Sequence, residues 1–502
     1  MTEMNISVND RDESHGWTSR TAFILGAIGS AIGIGNIWRF PFVCYENGGG
    51  AFLLAYLIAL FSAGIPLLML EMSLGHKTMS GAPRAFASIK KPLEWLGWLA
   101  VLCGFVLVTY YAVIMAWCAN YLVFSFDLRW GKDPAGFFNS FLNKSNPANI
   151  FSLGSIVPGI LIGLLVMWFL VVLSVWKGAK TVSKVVYVTV ILPWLILIIF
   201  VIRGVTLPGA MDGLAFYLTP NFSKLLEPKV WIAAYGQVFF SLSIGFGIMI
   251  AYASFLPKKT DIVNNVFIIA LADSATAFVG GIAVFSGIGF LCHQTGCSVD
   301  QISGGPGLAF VTYPAIINQF PFAPQLFGVL FFVMLLTLAI DSAFSLLETV
   351  VTGVMDKWHI SRRTANIGVA LIAMLCGIIF TTQAGLYWLD IVDYFNTNFV
   401  LIVVGILEAI AIAYVLGPKK LRDYANLSSD FKIGAWWDWA LRIVVPLVLV
   451  GGLGWTIYAI IQAEKPYGGY QSSAVLAGGW GLLIGLPVIA IILTLLKGKK
   501  SK

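Results

Sequence analysis

About twelve stretches of this chain, each close to 20 residues long and nearly free of charge, leave it few folds to choose from. They fall near residues 18–42, 51–74, 96–126, 152–176, 184–203, 229–256, 262–291, 325–356, 364–382, 387–416, 439–462 and 474–496. Hydrocarbon offers the backbone no hydrogen-bonding partner, so segments of this kind must be helical and satisfy their own N–H and C=O groups. Hydrophobic residues make up 59% of the 502 and charged ones 11%, against about half and a quarter in soluble domains. The chain is read as an all-α polytopic membrane protein of about 12 transmembrane helices. The expected organisation is a tail at 1–16, one transmembrane domain at 17–496 and a short tail at 497–502, because no loop is long enough to fold separately. The first run follows a polar tail without a small-residue cleavage site and is read as a span, not a removable signal peptide.

The net charge of +7 is distributed as a topology signal. With the amino terminus inside, roughly 23 of the 31 Lys and Arg fall on the cytoplasmic side, in segments such as His76 to Lys91, Lys177 to Lys184 and Lys497 to Lys502. Both termini are thus expected in the cytoplasm, with the chain in the cell (inner or plasma) membrane. No nucleic-acid footprint remains beyond that excess. Of the six cysteines, Cys44, Cys103, Cys118 and Cys376 sit in apolar runs and are expected to be small buried side chains. Cys292 and Cys297 fall in a loop expected to face outward, where a bridge is permitted. Their spacing also resembles a zinc half-site, without a second pair of ligands.

Two runs are poorly suited to simple spanning. The first contains GSAIGIGNIWRFP (Gly29 to Pro41). Gly29, Gly33 and Gly35 each weaken a helix by about 1 kcal/mol relative to alanine, while Asn36, Arg39 and Pro41 add polarity and a stop. The sixth reads FFSLSIGFGIMIAYASF (Phe239 to Phe255), again with Ser and Gly at its centre. Five helices apart, the two segments run in opposite directions through the membrane. An inverted-topology repeat requires this, and paired interrupted helices point to a carrier's binding site. Small-residue packing faces are the alternative reading of either segment.

Ionisable residues inside apolar runs are costly and usually functional. Here they are few: Glu71, Asp273, Asp341 and Asp393, with Arg39 and Glu46 at the end of the first run. No Ser-His-Asp set, His cluster or phosphate-binding loop accompanies them, which argues against hydrolysis and ATP-driven transport and against an enzyme. A hard cation wants several oxygens, some of them backbone carbonyls, and a carboxylate to offset its charge. Asp273 and Asp341 suit that task, each followed directly by a serine, Ser274 and Ser342. Capping or pairing with neighbouring helices is the other use for such carboxylates.

From about Trp17 through the last helix, the chain resembles the neurotransmitter:sodium symporters, whose bacterial structural type is the LeuT fold. The most specific marks are GIGNIWRFP with the following ENGGGAF (Glu46 to Phe52), GQVFFSLSIGFG, and the Asp-Ser pair of the eighth run. The resemblance implies a 5+5 inverted repeat, with repeat one at about 17–203, repeat two at about 229–416 and two extra helices at about 439–496. It implies two sodium ions. The first would bind Ala31, Asn36, Ser241 and Asp273 with the substrate's carboxylate, and the second the carbonyls of Gly29, Ile32 and Leu338 with Asp341 and Ser342. Substrate would lie against Ala31, Gly33, Gly35, Leu107, Tyr111, Phe240, Ser241, Ser243, Phe246, Ser342 and Leu346. Arg39 and Asp393 would form an outer latch, Phe240 a cover, and Asp356 part of an inner latch.

Monoamine members of that family carry Asp where this chain has Gly33, so a substrate that brings its own carboxylate is expected, meaning an amino acid. Leu107, Leu346 and two phenylalanines favour a hydrophobic or aromatic side chain. Another small zwitterion or osmolyte is the alternative cargo. A channel or sensor on the same fold is the alternative class, though no repeated selectivity filter is visible. The chain departs from the family pattern at Asp273, where Asn is commoner, and at Ala277, where chloride-dependent members have Ser and the bacterial type Glu. No chloride requirement is therefore expected. It departs also before Trp17, where the usual arginine is Ser14 and only Arg11 is near. Substrate identity and oligomeric state are not legible.

Overall fold

The computed structural model describes residues 17–144, 150–176, 178–296 and 305–498, and Arg11, Ser14 and Cys297 lie outside them. The described residues are helical apart from turns and two isolated bridges, Gly49 to Pro220 and Ile156 to Thr382. The first run forms α1 (Arg20–Ala31) and α2 (Ile34–Glu46), bent by 46° at their junction. Then follow α3 (Gly50–Thr78), α4 (Lys91–Phe124), α5 (Pro158–Ser174) and α6 (Ala179–Val205). The sixth run forms α7 (Pro228–Ser241) and α8 (Ile248–Ala253), with residues 242–247 between them outside any helix. The chain continues through α9 (Ile262–Thr295), α10 (Pro324–Trp358), α11 (Arg362–Thr381), α12 (Gly385–Leu416), α13 (Trp436–Gln462) and α14 (Ser472–Leu495).

Nine of these, α3, α4, α6 and α9 to α14, are each long and apolar enough to cross a membrane, and the bent α1–α2 pair counts as a tenth when taken as one span. The fourth run yields a shorter helix than its hydropathy suggests. Pro158 fixes its first turn, and Gly178, with a φ of +61°, turns the chain soon after its end.

Local chemistry sets the helix ends. Ser19 accepts the Ala22 N–H at 3.0 Å at the start of α1. Asp261 accepts the Asn264 N–H at 3.0 Å at the start of α9, which Gly296 ends in the left-handed conformation at a φ of +70°. The most apolar window of α4 is 83% buried and that of α13 only 11%, so α4 runs through the centre and α13 lines the rim. Cys44, Cys103 and Cys118 are buried as expected, but Cys376 is exposed. It shares the outer face of α11 with Ile372 and Leu375, each 56% exposed. An apolar run buries one side of a rim helix and gives the other to lipid. Cys292 is disulfide-bonded.

Both ends of the described residues gather on one face. The Trp17 indole N–H donates to Tyr252 O at 3.1 Å at the end of α8, and Arg362 at the start of α11 lies over Phe255. Lys357 at the end of α10 binds Glu94 at 2.6 Å and Thr494 O at 3.0 Å.

Glycines allow the closest helix contacts, and Gly75 of α3 abuts the main chain of α8 at Ile250. A side chain there meets backbone, which cannot swing aside. Gly75→Leu is expected to cost at least about 3 kcal/mol and to lower the thermal unfolding midpoint in detergent by ~5 °C or more. An unchanged midpoint would show that this approach is not tight.

Candidate functional site

The two helix breaks lie side by side. Ile32 and Gly33 are extended, with ψ of 100° and −172°. The Gly33 N–H, which a continuous helix would give to Gly29 O, goes instead to Asn36 Oδ1 at 3.0 Å. The Asn36 N–H, due to Ile32 O, goes to Gly33 O at 3.2 Å. The carbonyls of Gly29 and Ile32 are thereby released from the helix ladder. Ser30 O accepts the Ser243 hydroxyl at 3.1 Å from the second break. Ser243 is held at a φ of +55°, an unusual conformation for a residue with a side chain.

Asn36, Ser241 and Asp273 converge from α2, α7 and α9. Asn36 Nδ2 donates to Asp273 Oδ1 at 2.8 Å and reaches Ser241 Oγ at 3.3 Å, while the Ser241 hydroxyl donates to Asp273 Oδ2 at 2.7 Å. All three are buried. A second carboxylate lies on the other side of the first break. Asp341 Oδ1 accepts the Thr189 hydroxyl of α6 at 2.5 Å, and its Oδ2 is buried with no hydrogen-bond partner. That free oxygen faces Gly29, where an added β-carbon would lie 2.6 Å from it. Leu338 sits in the unbroken α10, so its carbonyl has only a second lone pair to offer.

Between the breaks lies a cavity of about 40 Å³, lined by all eleven residues expected to meet substrate and by Ser30, Asn36, Ile248 and Ser345. A β-carbon at Gly33 would come within 2.8 Å of Ser342 Oγ and 3.4 Å of the Tyr111 hydroxyl, so glycine alone keeps this corner open. The Tyr111 hydroxyl also lies 3.5 Å from the Ile34 N–H at the start of α2. Above Phe240 a vestibule of about 700 Å³ opens to one face and shares Gly35, Leu107, Tyr111 and Phe240 with the inner cavity.

The outer latch expected from Arg39 and Asp393 is not closed. The Arg39 guanidinium lies 4.2 Å from the centre of the Phe240 ring, and Asp393 accepts the Tyr110 hydroxyl at 2.7 Å. The open vestibule separates the two charges. On the opposite face, Asp356 accepts the Gly81 N–H at 2.7 Å, and the Trp17 ring packs onto Gly26, Phe23 and Tyr252.

Sequence reasoning did not single out Thr189, Ser30 or Ser345. Ser30 donates to Ser345 Oγ at 2.9 Å, tying α1 to α10. A lone Thr or Ser in an apolar run is a weak signal because it usually bonds its own helix, as Thr189 also does to Val185 O. Among the described residues, no three His, Cys, Asp or Glu side chains come together as a metal cluster. A cation here would rely on single carboxylates with neutral oxygens.

Fold and site define a multi-pass membrane carrier, with a closed-sided cavity at the level of two helix breaks and an aqueous approach from one face. The sequence model of the sodium:neurotransmitter symporter family matches residues 14–137 and 132–500, and the chain belongs to that family. A sodium-dependent transporter of Methanocaldococcus jannaschii is 40% identical over 97% of this chain and 99% of its own length. The sodium- and chloride-dependent GABA transporter 2 of Homo sapiens is 35% identical over 81% of this chain and 74% of its own. The sodium- and chloride-dependent taurine transporter of Rattus norvegicus is 33% identical over 95% and 84%. The protein is therefore a sodium-dependent solute symporter, a carrier and not an enzyme.

Asn36 both caps α2 and fixes Asp273, so its removal leaves the Gly33 N–H and a buried carboxylate short of partners. Asn36→Ala is expected to destabilise the protein by about 2–4 kcal/mol, measured by thermal unfolding without sodium. A loss below about 1 kcal/mol would mean water replaces the amide.

Proposed function

We propose that this symporter imports an amino acid with a hydrophobic or aromatic side chain, together with two sodium ions, by alternating access. The observation that carries the ion reading is Asp341 Oδ2, a buried carboxylate oxygen without a partner that faces Gly29. An uncompensated charge there is untenable in a membrane interior, and a cation resolves it. The second sodium would take Gly29, Ile32 and Leu338 carbonyls with Asp341 and Ser342, and Thr189 would hold the carboxylate in place. The first would take Ala31 O, Asn36, Ser241 and Asp273, completed by the substrate's carboxylate, which Tyr111 and the start of α2 would also meet. Gly33 and the walls made by Leu107, Phe240, Phe246 and Leu346 support an uncharged side chain. The twelve runs would all cross as a 5+5 inverted repeat plus two helices, with both ends cytoplasmic and the vestibule facing out. A small zwitterion is the second reading, favoured by the narrow cavity and by the cargo named for the GABA and taurine carriers.

In vesicles screened with the twenty amino acids, uptake of one or a few is expected with a sodium gradient and not with potassium. Asp341→Ala should reduce it at least ~100-fold, since the lost carboxylate served a buried cation. Undiminished uptake in potassium would sink the ion assignment. GABA or taurine carried in place of any protein amino acid would favour the second reading.

We infer too that transport here is independent of chloride, although the GABA and taurine relatives are named as chloride-dependent. Tyr56, Gln237 and Ser241 are those that would line a chloride site, and the Gln237 amide is buried with both atoms unpartnered. Beside them stand Ala277, which offers no hydroxyl, and Asp273, which brings a negative charge of its own. A chloride about 4 Å from that carboxylate would be repelled by about 4 kcal/mol at an effective dielectric of 20. Replacing chloride by gluconate is expected to leave sodium-driven uptake unchanged. Asp273→Asn combined with Ala277→Ser should make uptake chloride-dependent. Loss of most wild-type uptake in gluconate would overturn the role given to Asp273.

A further inference from the structure

Two carboxylic side chains outside the cavity face each other inside the bundle. Glu71 of α3 and Glu408 of α12 are both wholly buried, and their carboxyl groups lie within hydrogen-bonding reach of one another. Glu71 Oε1 accepts the Gly245 N–H at 2.6 Å, and the carboxyl also meets the Met249 N–H. It thus holds the non-helical stretch 242–247 to the first turn of α8. Glu71 Oε2 and both oxygens of Glu408 receive no donor.

The surroundings supply no counter-charge. From α4, Cys103 faces Glu408. Asn396, on the same helix as Glu408, is neutral, and its amide is bound to Cys103 O at 3.0 Å. Asp273 of α9 is engaged by Asn36 and Ser241, and Arg442 of α13 is exposed. Among the described residues, neither glutamate pairs with a Lys, Arg or His. Two facing carboxylates in such a place cannot both be charged, and a single O–H between them gives the orphan oxygens a donor.

We propose that Glu71 and Glu408 form a proton-binding site whose affinity depends on the conformation of the carrier. This rests on the alternating-access reading, with the broken pairs α1–α2 and α7–α8 rocking against the rest and taking along Glu71, which binds Gly245 between α7 and α8. Glu71 then rides with the moving group and Glu408 stays with the other. With the vestibule open the two carboxyls touch, and the proton sits as O–H on one and is accepted by the other. When rocking separates them, each is exposed to new partners, the O–H bond breaks and the proton leaves to water. By linkage, acid favours the vestibule-open state and alkali favours its closure.

The test uses the purified full chain with sodium as the sole ligand. Infrared spectra at neutral pH are expected to show the carbonyl band of a protonated carboxyl, lost in Glu408→Gln. Alkylation of Leu386→Cys, a vestibule-wall reporter in a Cys376→Ser background, reads the open fraction. Divided at each pH by the rate of the same cysteine in the unfolded chain, which removes the thiolate's own pH dependence, that rate should rise about threefold or more from about pH 8.5 to 5.5 and become flat in Glu408→Gln. Glu71→Gln, which keeps an acceptor for Gly245, serves if Glu408→Gln does not fold. The proposal is overturned if the wild type lacks the band, or if the pH dependence survives in these variants. Sodium-induced thermal stabilisation should persist in Glu408→Gln and vanish in Asp341→Ala, which separates failure of this site from failure of the sodium reading.

Discussion

A main-chain N–H or C=O set free inside hydrocarbon has to find a partner or pull its segment back into a helix. The two breaks of this protein are held by side chains that meet groups set free in this way. Asn36 takes the Gly33 N–H, Ser243 gives its hydroxyl to Ser30 O, and Glu71 takes the Gly245 N–H. The Gly29 and Ile32 carbonyls, released from the helix ladder, are the acceptors proposed above for a cation. The glycines that open the backbone and the polar side chains that tie it down are thus one design, and neither makes sense without the other.

The same economy governs charge. Asp273 is tied to two neutral donors, and Asp341 to one. Among the described residues neither touches an arginine or lysine, which suits each to the cation proposed for it. Two of the more buried ion pairs sit instead near the face where the ends of the described residues gather, with Arg362 bound to Glu348 at 2.7 Å and Lys357 to Glu94 at 2.6 Å. Pairs that never exchange partners are suited to holding a scaffold, and unpaired carboxylates to cargo that must come and go.

Much of this was legible in the sequence because hydrophobic length and glycine placement are local signals. The runs and the break at Gly33 follow from segments that can be read one at a time, whereas the convergence of Asn36 with Asp273 was implied only by the resemblance to the family. The rest depends on which face of a helix meets which neighbour. Thr189 looks like any threonine bonding its own turn until α6 is packed against α10. Glu408 lies in an apolar run and drew no notice, since only Glu71 opposite gives it meaning. Cys376 looked buried because hydropathy does not distinguish lipid from protein as a neighbour. Arg39 and Asp393 were expected as partners from the resemblance to the family, and an open vestibule gives each a different one.

That last arrangement bears on how the outer path can shut. Arg39 rests its charge on the face of Phe240, and Asp393 is already satisfied by Tyr110. Neither group is bare at the open end of the stroke. Bringing them together exchanges one set of contacts for another of similar worth, because a guanidinium–ring contact and a tyrosine–carboxylate bond are each worth about 1–2 kcal/mol. Closing the latch proposed for this pair would therefore set its attraction against two contacts already made. The choice between open and shut then falls to whatever lies beneath Phe240. An empty cavity gives the ring nothing to press on, and a filled one gives it a floor.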